Sequence, residues 1–427
     1  MKKALYKTVY HFFPYFNNWL RQIKDPRNKK SITYPLPLMI WTALLLFMLK
    51  LGSRRQINFQ FNTVEILKNI FFLADEDLER IAHHDTLSYL ASHINTNELS
   101  NLRTKMIRRL IRMKALERYK LKGYYLVAID ATDHMKFRYP HCDWCLKMER
   151  SGNIIYYHPV LEAKLILQNG IALSIETEFI ENQGEDVDIQ DCELRAFYRL
   201  TERLKKNFPQ LKICLLLDAL YSNVKVFDIC KRSTWKYIIT FKKGAMPATY
   251  QEYECLKDAA EDSRKLYQRE EVIQNYAWVN DIEYSHHLLN ALECKETKKN
   301  KEKRFVWITN FRIDKDNVES LANQGGRLRW QIEEHFNIQK NGGYNLEHPY
   351  SKHIVGSKNF YLLLQIAHIL NQLMEKGNLL AETVKKLFGS IRNFSRSLLE
   401  DLRTSVFDPK DIESIRLAAF QIRLHSP

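Results

Sequence analysis

Glycine is scarce, 13 in 427 residues, and no segment repeats at a fixed period. Solenoids and propellers depend on such periods and are excluded. Cysteine is also sparse: seven residues, irregularly spaced, which is no disulfide framework. An apolar run of membrane length is missing too. The most apolar stretch, Pro35 to Leu49, has 15 residues and is flanked by Lys50, Arg54 and Arg55. A spanning helix needs about 20, so a buried core helix is expected and no membrane span. Lys2, Lys3 and Lys7 are not followed by an apolar stretch with a small-residue cleavage site, so no secretory signal is read. The expected compartment is a reducing cytoplasm. At 45% hydrophobic and 27% charged residues the chain is globular, and its length suits about two to four domains.

Acidic residues fall short in one place only. Residues 1–122 hold 22 basic and 9 acidic side chains, a net of +13, whereas the remaining 305 hold 43 and 41. An excess gathered at one end reads as the footprint of a polyanion, nucleic acid first among them. Leu102 to Lys122 reads as a basic amphipathic helix, with Met106, Leu110, Ile111 and Met113 between the cations. On it Arg108, Arg109 and Arg112 are candidates to follow a phosphate backbone; a solvated linker helix is the other reading.

The pattern changes at Gly123. YYLVAID (124–130) reads as a strand ending on Asp130, and two further strands flank the turn QNG (168–170) as a hairpin. A helix is expected from about 189 to 207, then the buried strand KICLLLDALY ending on Asp218, a short helix, and the strand WKYIITF. Residues 244–304 are polar and read as an insertion. A strand from Arg304 and a helix over about 317–340 follow, and residues from 358 onward are helical. A hairpin meander followed by crossover helices is the layout of a ribonuclease H-like α/β fold. The expected organisation is therefore a basic helical region (1–122), a catalytic core with its insertion (123–345) and a C-terminal helical region (346–427).

Three carboxylates stand where such folds collect ligands: Asp130, Asp218 and Glu333, separated by 88 and 115 residues. Hard oxygen donors suit Mg²⁺ or Mn²⁺. Taken singly, each aspartate is more readily a cap or strand-end turn residue. Around Glu333 the run RWQIEEHFNIQK (329–340) puts Arg329, Glu333 and Lys340 on one helical face. Glu334 is the rival carboxylate, but one step along a helix turns a side chain by about 100°.

This run resembles the signature of insertion-sequence transposases of the DDE class: Tyr, two residues, Arg, three residues, Glu, six residues, Lys. Arg329, Glu333 and Lys340 fit, and Gly326 stands in place of the Tyr. DATDH and LLLDALYSN fall where that class has its two aspartates, and the likeness covers about Gly123 to Lys340. The resemblance implies a metal-binding catalytic triad of Asp130, Asp218 and Glu333, with Arg329 and Lys340 on DNA near the scissile phosphate. It implies transposon-end and target duplexes as partners, a homodimer that holds two ends, and a bacterial, nucleoid-associated protein. In related enzymes an aromatic near the insertion stacks on a flipped base; Trp307 is the candidate, with core packing as its other reading. A hydrolytic nuclease of the same fold and a relic that only binds DNA are the rival functions. HCDWC (141–145) holds one CxxC, with His134 and His158 nearby. Such scattered ligands are a weak zinc signal, and packed reduced thiols are expected there.

Overall fold

The computed structural model describes residues 1–182, 190–259, 262–299, 301–380, 388–418 and 420–425. Its centre is one mixed sheet of ten strands. The first four are β1 (Tyr125–Phe137), β2 (Leu146–Arg150), β3 (Asn153–Ile166) and β4 (Ala172–Phe179). Then come β5 (Ile213–Leu217), β6 (Lys236–Thr240), β7 (Arg264–Arg269), β8 (Val272–Tyr284), β9 (His287–Lys298) and β10 (Lys301–Thr309). The spatial order is β4–β3–β1–β5–β6–β10–β9–β8–β7, with β2 on the outer half of β3. β3 is antiparallel to β1 and β4; β5 runs parallel to β1, and β6 to β5. The β3–β4 hairpin closes at QNG as expected, with Gly170 at φ +82, a conformation a side chain would resist.

One expected strand end is corrected, and two further parts of the sheet go beyond the expectation. Asp130 does not end its strand. β1 continues to Phe137, because the 14-residue β3 pairs with it as far as Phe137↔Tyr156, past a bulge between Asp133 and Met135. β2, short and mostly exposed, carries no apolar alternation to announce it. Residues 244–304 contribute a helix (Pro247–Ala259) and three strands that prolong the same sheet beyond β10. Their apolar side chains, Tyr276, Trp278, Leu292 and Cys294, join the core on one face.

Alternation sorts the two faces. Leu126 and Ala128 of β1, Cys214 and Leu216 of β5 and Ile238 of β6 share a core with Ile332 and Phe336. Val127, Ile129, Leu215, Leu217 and Ile239 face the other way, toward Phe197, Leu200 and Phe227. These last come from two crossover helices, Glu193–Asn207 and Val224–Ser233. The first begins at Glu193; Ile189, where it was expected to begin, lies outside the described residues. The helix expected over 317–340 is broken. Val318–Asn323 is followed by a 3₁₀ turn, Gly326–Arg329, and then by a helix we label α1, Trp330–Asn341. The break follows from packing: a Cβ on Gly326 would lie 2.5 Å from the Trp307 indole.

Residues 1–122 form helices, among them Leu36–Met48, whose every residue is buried. The basic helix here is Thr96–Arg112, not Leu102–Lys122. Lys114 turns left-handed at φ +59, and Leu116 and Tyr119 then fold into the core. These helices pack on the long helix α2 (Ile354–Lys376), which also meets β4. Ile391–Thr404 and Pro409–Leu417 complete the C-terminal helices. Among the described residues no helix is long and apolar enough to cross a membrane.

Candidate active site

Parallel pairing of β1 with β5 reaches Ala128↔Leu216. Asp130 and Asp218 each lie two residues further on, so they stand at one level on neighbouring strands. They also share the face that carries Ala128 and Leu216. Each holds one oxygen on the backbone: the Ala131 amide donates to Asp130 Oδ1 (3.0 Å) and the Leu220 amide to Asp218 Oδ1 (2.7 Å). α1 crosses this face through Ile332 and Phe336 and brings Glu333 over it. Arg329 links the two sides, with Nη2 2.6 Å from Glu333 Oε1 and Nη1 4.0 Å from Asp130 Oδ2. Glu334 points into solvent. Lys340, at the far end of α1, pairs with Glu347 at 3.0 Å.

A fourth carboxylate belongs here and was missed. Glu193, the first residue of its helix, accepts from the Tyr221 hydroxyl at 2.6 Å. Burial raises the pKa of Glu193; the Tyr221 bond opposes this and the charge of Asp218 adds to it. Burial likewise pushes Asp130 up to about 7. Arg329 works against that rise, while Glu193 and Glu333 reinforce it. Four carboxylates thus gather here, and one guanidinium reaches two of them, Asp130 and Glu333. No three of the four bring their oxygens within 4.8 Å of one another, and Arg329 reaches both Glu333 and Asp130. A cluster short of positive charge and built only of hard oxygen donors fits a divalent cation of the Mg²⁺ class. The sequence signal for Glu193 was slight: an acid in the first turn of a helix is the ordinary partner of the helix dipole.

Trp307 is corrected. It is 4% exposed, stacked on Phe305 at 5.8 Å and capped by Gly326, so no ring face is free for a base. The exposed aromatic at the site is Trp330, 62% exposed, with the Arg329 guanidinium 5.7 Å from its ring. The same packing leaves position 326 no room for a side chain.

Arg108, Arg109 and Arg112 lie away from the carboxylates. Arg108 is exposed and donates from Nε to the Asn207 carbonyl at 3.1 Å; Arg109 is half-buried and Arg112 exposed. Arg108 and Arg112 line a groove with Lys114, Lys120 and Lys212. Lys212 precedes β5 and Asp218 follows it, so basic groove and carboxylates stand at opposite ends of one five-residue strand, about 17 Å long.

No protein-family model matches the chain, and no curated protein matches it.

Proposed function

We propose that this chain is a DDE-type transposase that cuts transposon ends and joins their 3′-OH groups to target DNA. The sheet order β4–β3–β1–β5–β6, antiparallel then parallel, supports a ribonuclease H-like core. The observation that carries the reading is the common level of Asp130 and Asp218, with Glu333 brought over the same face from 115 residues further on. Asp130, Asp218 and Glu333 would hold Mg²⁺ or Mn²⁺, which supplies activation of the attacking oxygen and stabilisation of the leaving oxygen of a phosphodiester. Glu193 adds negative charge beside both aspartates. Arg329 offers a planar fork to the scissile phosphate. Trp330 offers a ring on which an unpaired base stacks. Lys340 contacts the DNA backbone further out, and Arg108, Arg109 and Arg112 hold the terminal inverted repeats. Water and the 3′-OH are the nucleophiles, so no protein–DNA covalent bond forms. Two ends require two active sites, hence a homodimer, working at the nucleoid in the cytoplasm.

The test is cleavage and joining of a labelled duplex carrying the sequence that flanks the gene, in Mg²⁺, beside a gel shift of the same duplex. Asp130→Asn, Asp218→Asn and Glu333→Gln should each lower cleavage by about three orders of magnitude or more. Double variants should be hardly worse, because residues acting as a unit are not additive. Binding should persist in all of them. Cleavage without joining would identify a hydrolytic nuclease, and binding without cleavage by the parent a relic. If the three variants cleave like the parent, the carboxylates are not the site.

A further inference from the structure

The loop between β1 and β2 and the middle of β3 bring together side chains that the proposed transposition chemistry leaves unused. Sγ of Cys142, Nε2 of His158 and a ring nitrogen of His141 form a group whose ligand atoms all lie within 4.8 Å of one another. The sulfur and the His158 nitrogen are 3.5 Å apart. That separation is informative. With metal–sulfur and metal–nitrogen bonds of about 2.3 and 2.05 Å, the S···N edge of a tetrahedron is about 3.55 Å. The pair is therefore already at chelating distance.

The surroundings are polar yet poorly bonded. His158 is 1% exposed, and its Nδ1 has no hydrogen-bond partner; neither has Nδ1 of His141. His134, 5% exposed and 6.1 Å from His158 between ring centroids, has neither nitrogen satisfied. Buried ring nitrogens left unpaired are costly, and of these the His141 Nδ1 is the one that a cation beside Cys142 Sγ and His158 Nε2 can satisfy. Cys145 follows Cys142 at the CxxC spacing by which two thiolates grip one ion; its Sγ donates to the Cys142 carbonyl at 2.9 Å and lies outside the gathered group, so it joins as a ligand by turning from that carbonyl. The loop is held in place by Asn182, which donates from its side chain to the Cys145 carbonyl and from its amide to the Trp144 carbonyl.

We propose that His141, Cys142 and His158, completed by Cys145, form a structural site for a thiophilic divalent cation of the Zn²⁺ class. The ion ties the loop over 138–145 to β3. It is a second metal centre, distinct from the carboxylate cluster by its soft donors and by its position beyond the β1 bulge. Two His and two Cys make a closed set, which suits a structural rather than a catalytic ion.

The test uses the full-length protein, purified without chelator and dialysed, with zinc measured by elemental analysis. One equivalent per chain is expected. Cys142→Ala and His158→Ala should fall to background, and Cys145→Ser should weaken affinity about ten- to a hundredfold. A chain carrying Asp130→Asn, Asp218→Asn and Glu333→Gln together should keep its zinc. Should the Cys142 or His158 variant fail to fold, the parent itself decides the matter. Exchange of Zn²⁺ for Co²⁺ should give tetrahedral d–d bands and a sulfur-to-cobalt charge-transfer band, which a carboxylate site cannot produce. Background zinc in the parent after Zn²⁺ loading, unchanged zinc in Cys142→Ala, or a cobalt form without the charge-transfer band would each overturn the site. Unchanged affinity in Cys145→Ser would remove the fourth ligand. None of these outcomes depends on DNA cleavage.

Discussion

Asp130 and Glu162 face each other across β1 and β3 in the same register, yet they belong to opposite kinds of cluster. Glu162 lies in a sealed network. It accepts from the Tyr361 hydroxyl (2.9 Å) and the Thr177 hydroxyl (2.8 Å), while Arg103 pairs with Glu176 at 3.0 Å and Lys164 donates to Gln365. Two acids and two bases, none more than 2% exposed, balance there. Asp130 sits in an open cluster of four carboxylates, only two of which, Asp130 and Glu333, have an arginine beside them. Balance with burial marks a scaffold. Imbalance at a crevice marks a place that waits for a charge. The sealed network also joins the basic helix, the sheet and α2, so the N-terminal cations split into scaffold, such as Arg103, and surface, such as Arg108 and Arg112.

Breaking each cluster should therefore have unlike consequences. Arg103→Met removes the buried partner of Glu176, leaving it Arg203 at 3.8 Å and Asn207 at 2.7 Å, and should cost about 3 kcal/mol of stability. Asp130→Asn removes a crowded acid and should cost nothing. The sign follows from linkage. Asp130 keeps its proton up to about pH 7 in the fold but only to about 3.8 when unfolded. Stability from this group is whole below pH 4 and declines as pH rises toward 7. In EDTA, Asp130→Asn should match the parent at pH 4 and exceed it at pH 8, as read by urea unfolding. Equal losses for both variants would erase the distinction between scaffold and site.

Gly326 gives the next largest effect. Ala there drives a Cβ into a rigid, buried indole and should cost about 1–3 kcal/mol through overpacking. Trp307→Leu in the same chain should recover part of that loss. If Gly326→Ala is neutral in thermal unfolding, packing against Trp307 does not hold position 326 to glycine.

These cases show what the sequence could and could not reveal. The hairpin at QNG, the buried strand before Asp218 and the spacing of Arg329 to Glu333 are local, and each was legible. The run of β-branched and aromatic residues in YYLVAID stops at Asp130, while the pairing that extends the strand to Phe137 comes from β3. Glu193 converges with the aspartates only through tertiary folding, and its helix-start position had an ordinary explanation. Trp307 and Gly326 meet across more than a dozen residues, so neither the burial of one nor the smallness of the other is visible locally. His141, Cys142 and His158 likewise look scattered until a loop and a strand close on each other.

The open cluster also predicts a pH dependence of cation binding. A cation bound at Asp130 displaces its proton. The apparent Kd for Mn²⁺, followed by the electron paramagnetic resonance of the free ion, should rise about fivefold from pH 7 to pH 6, or about 1 kcal/mol. It should level off above pH 8. Asp130→Asn should bind weakly at every pH, without that slope. A flat parent profile would show that Asp130 is ionised throughout, or is not a ligand.

The smallest effect belongs to a carboxylate outside both clusters. Glu334 follows Glu333 on α1, but the helix turns it by about 100°, into solvent. Glu333 holds Arg329 at 2.6 Å, and its charge is felt at Asp130. Glu334→Gln should therefore leave cleavage within about twofold and Mn²⁺ affinity unchanged, since the group is exposed. Glu333→Gln at the adjacent position should lose both. The pair is matched in chemistry, in helix and in sequence neighbourhood, and differs only in which face it occupies. A dead Glu334→Gln beside an active Glu333→Gln would shift the functional face of α1 by one residue, and Arg329 would then be pairing with the wrong acid.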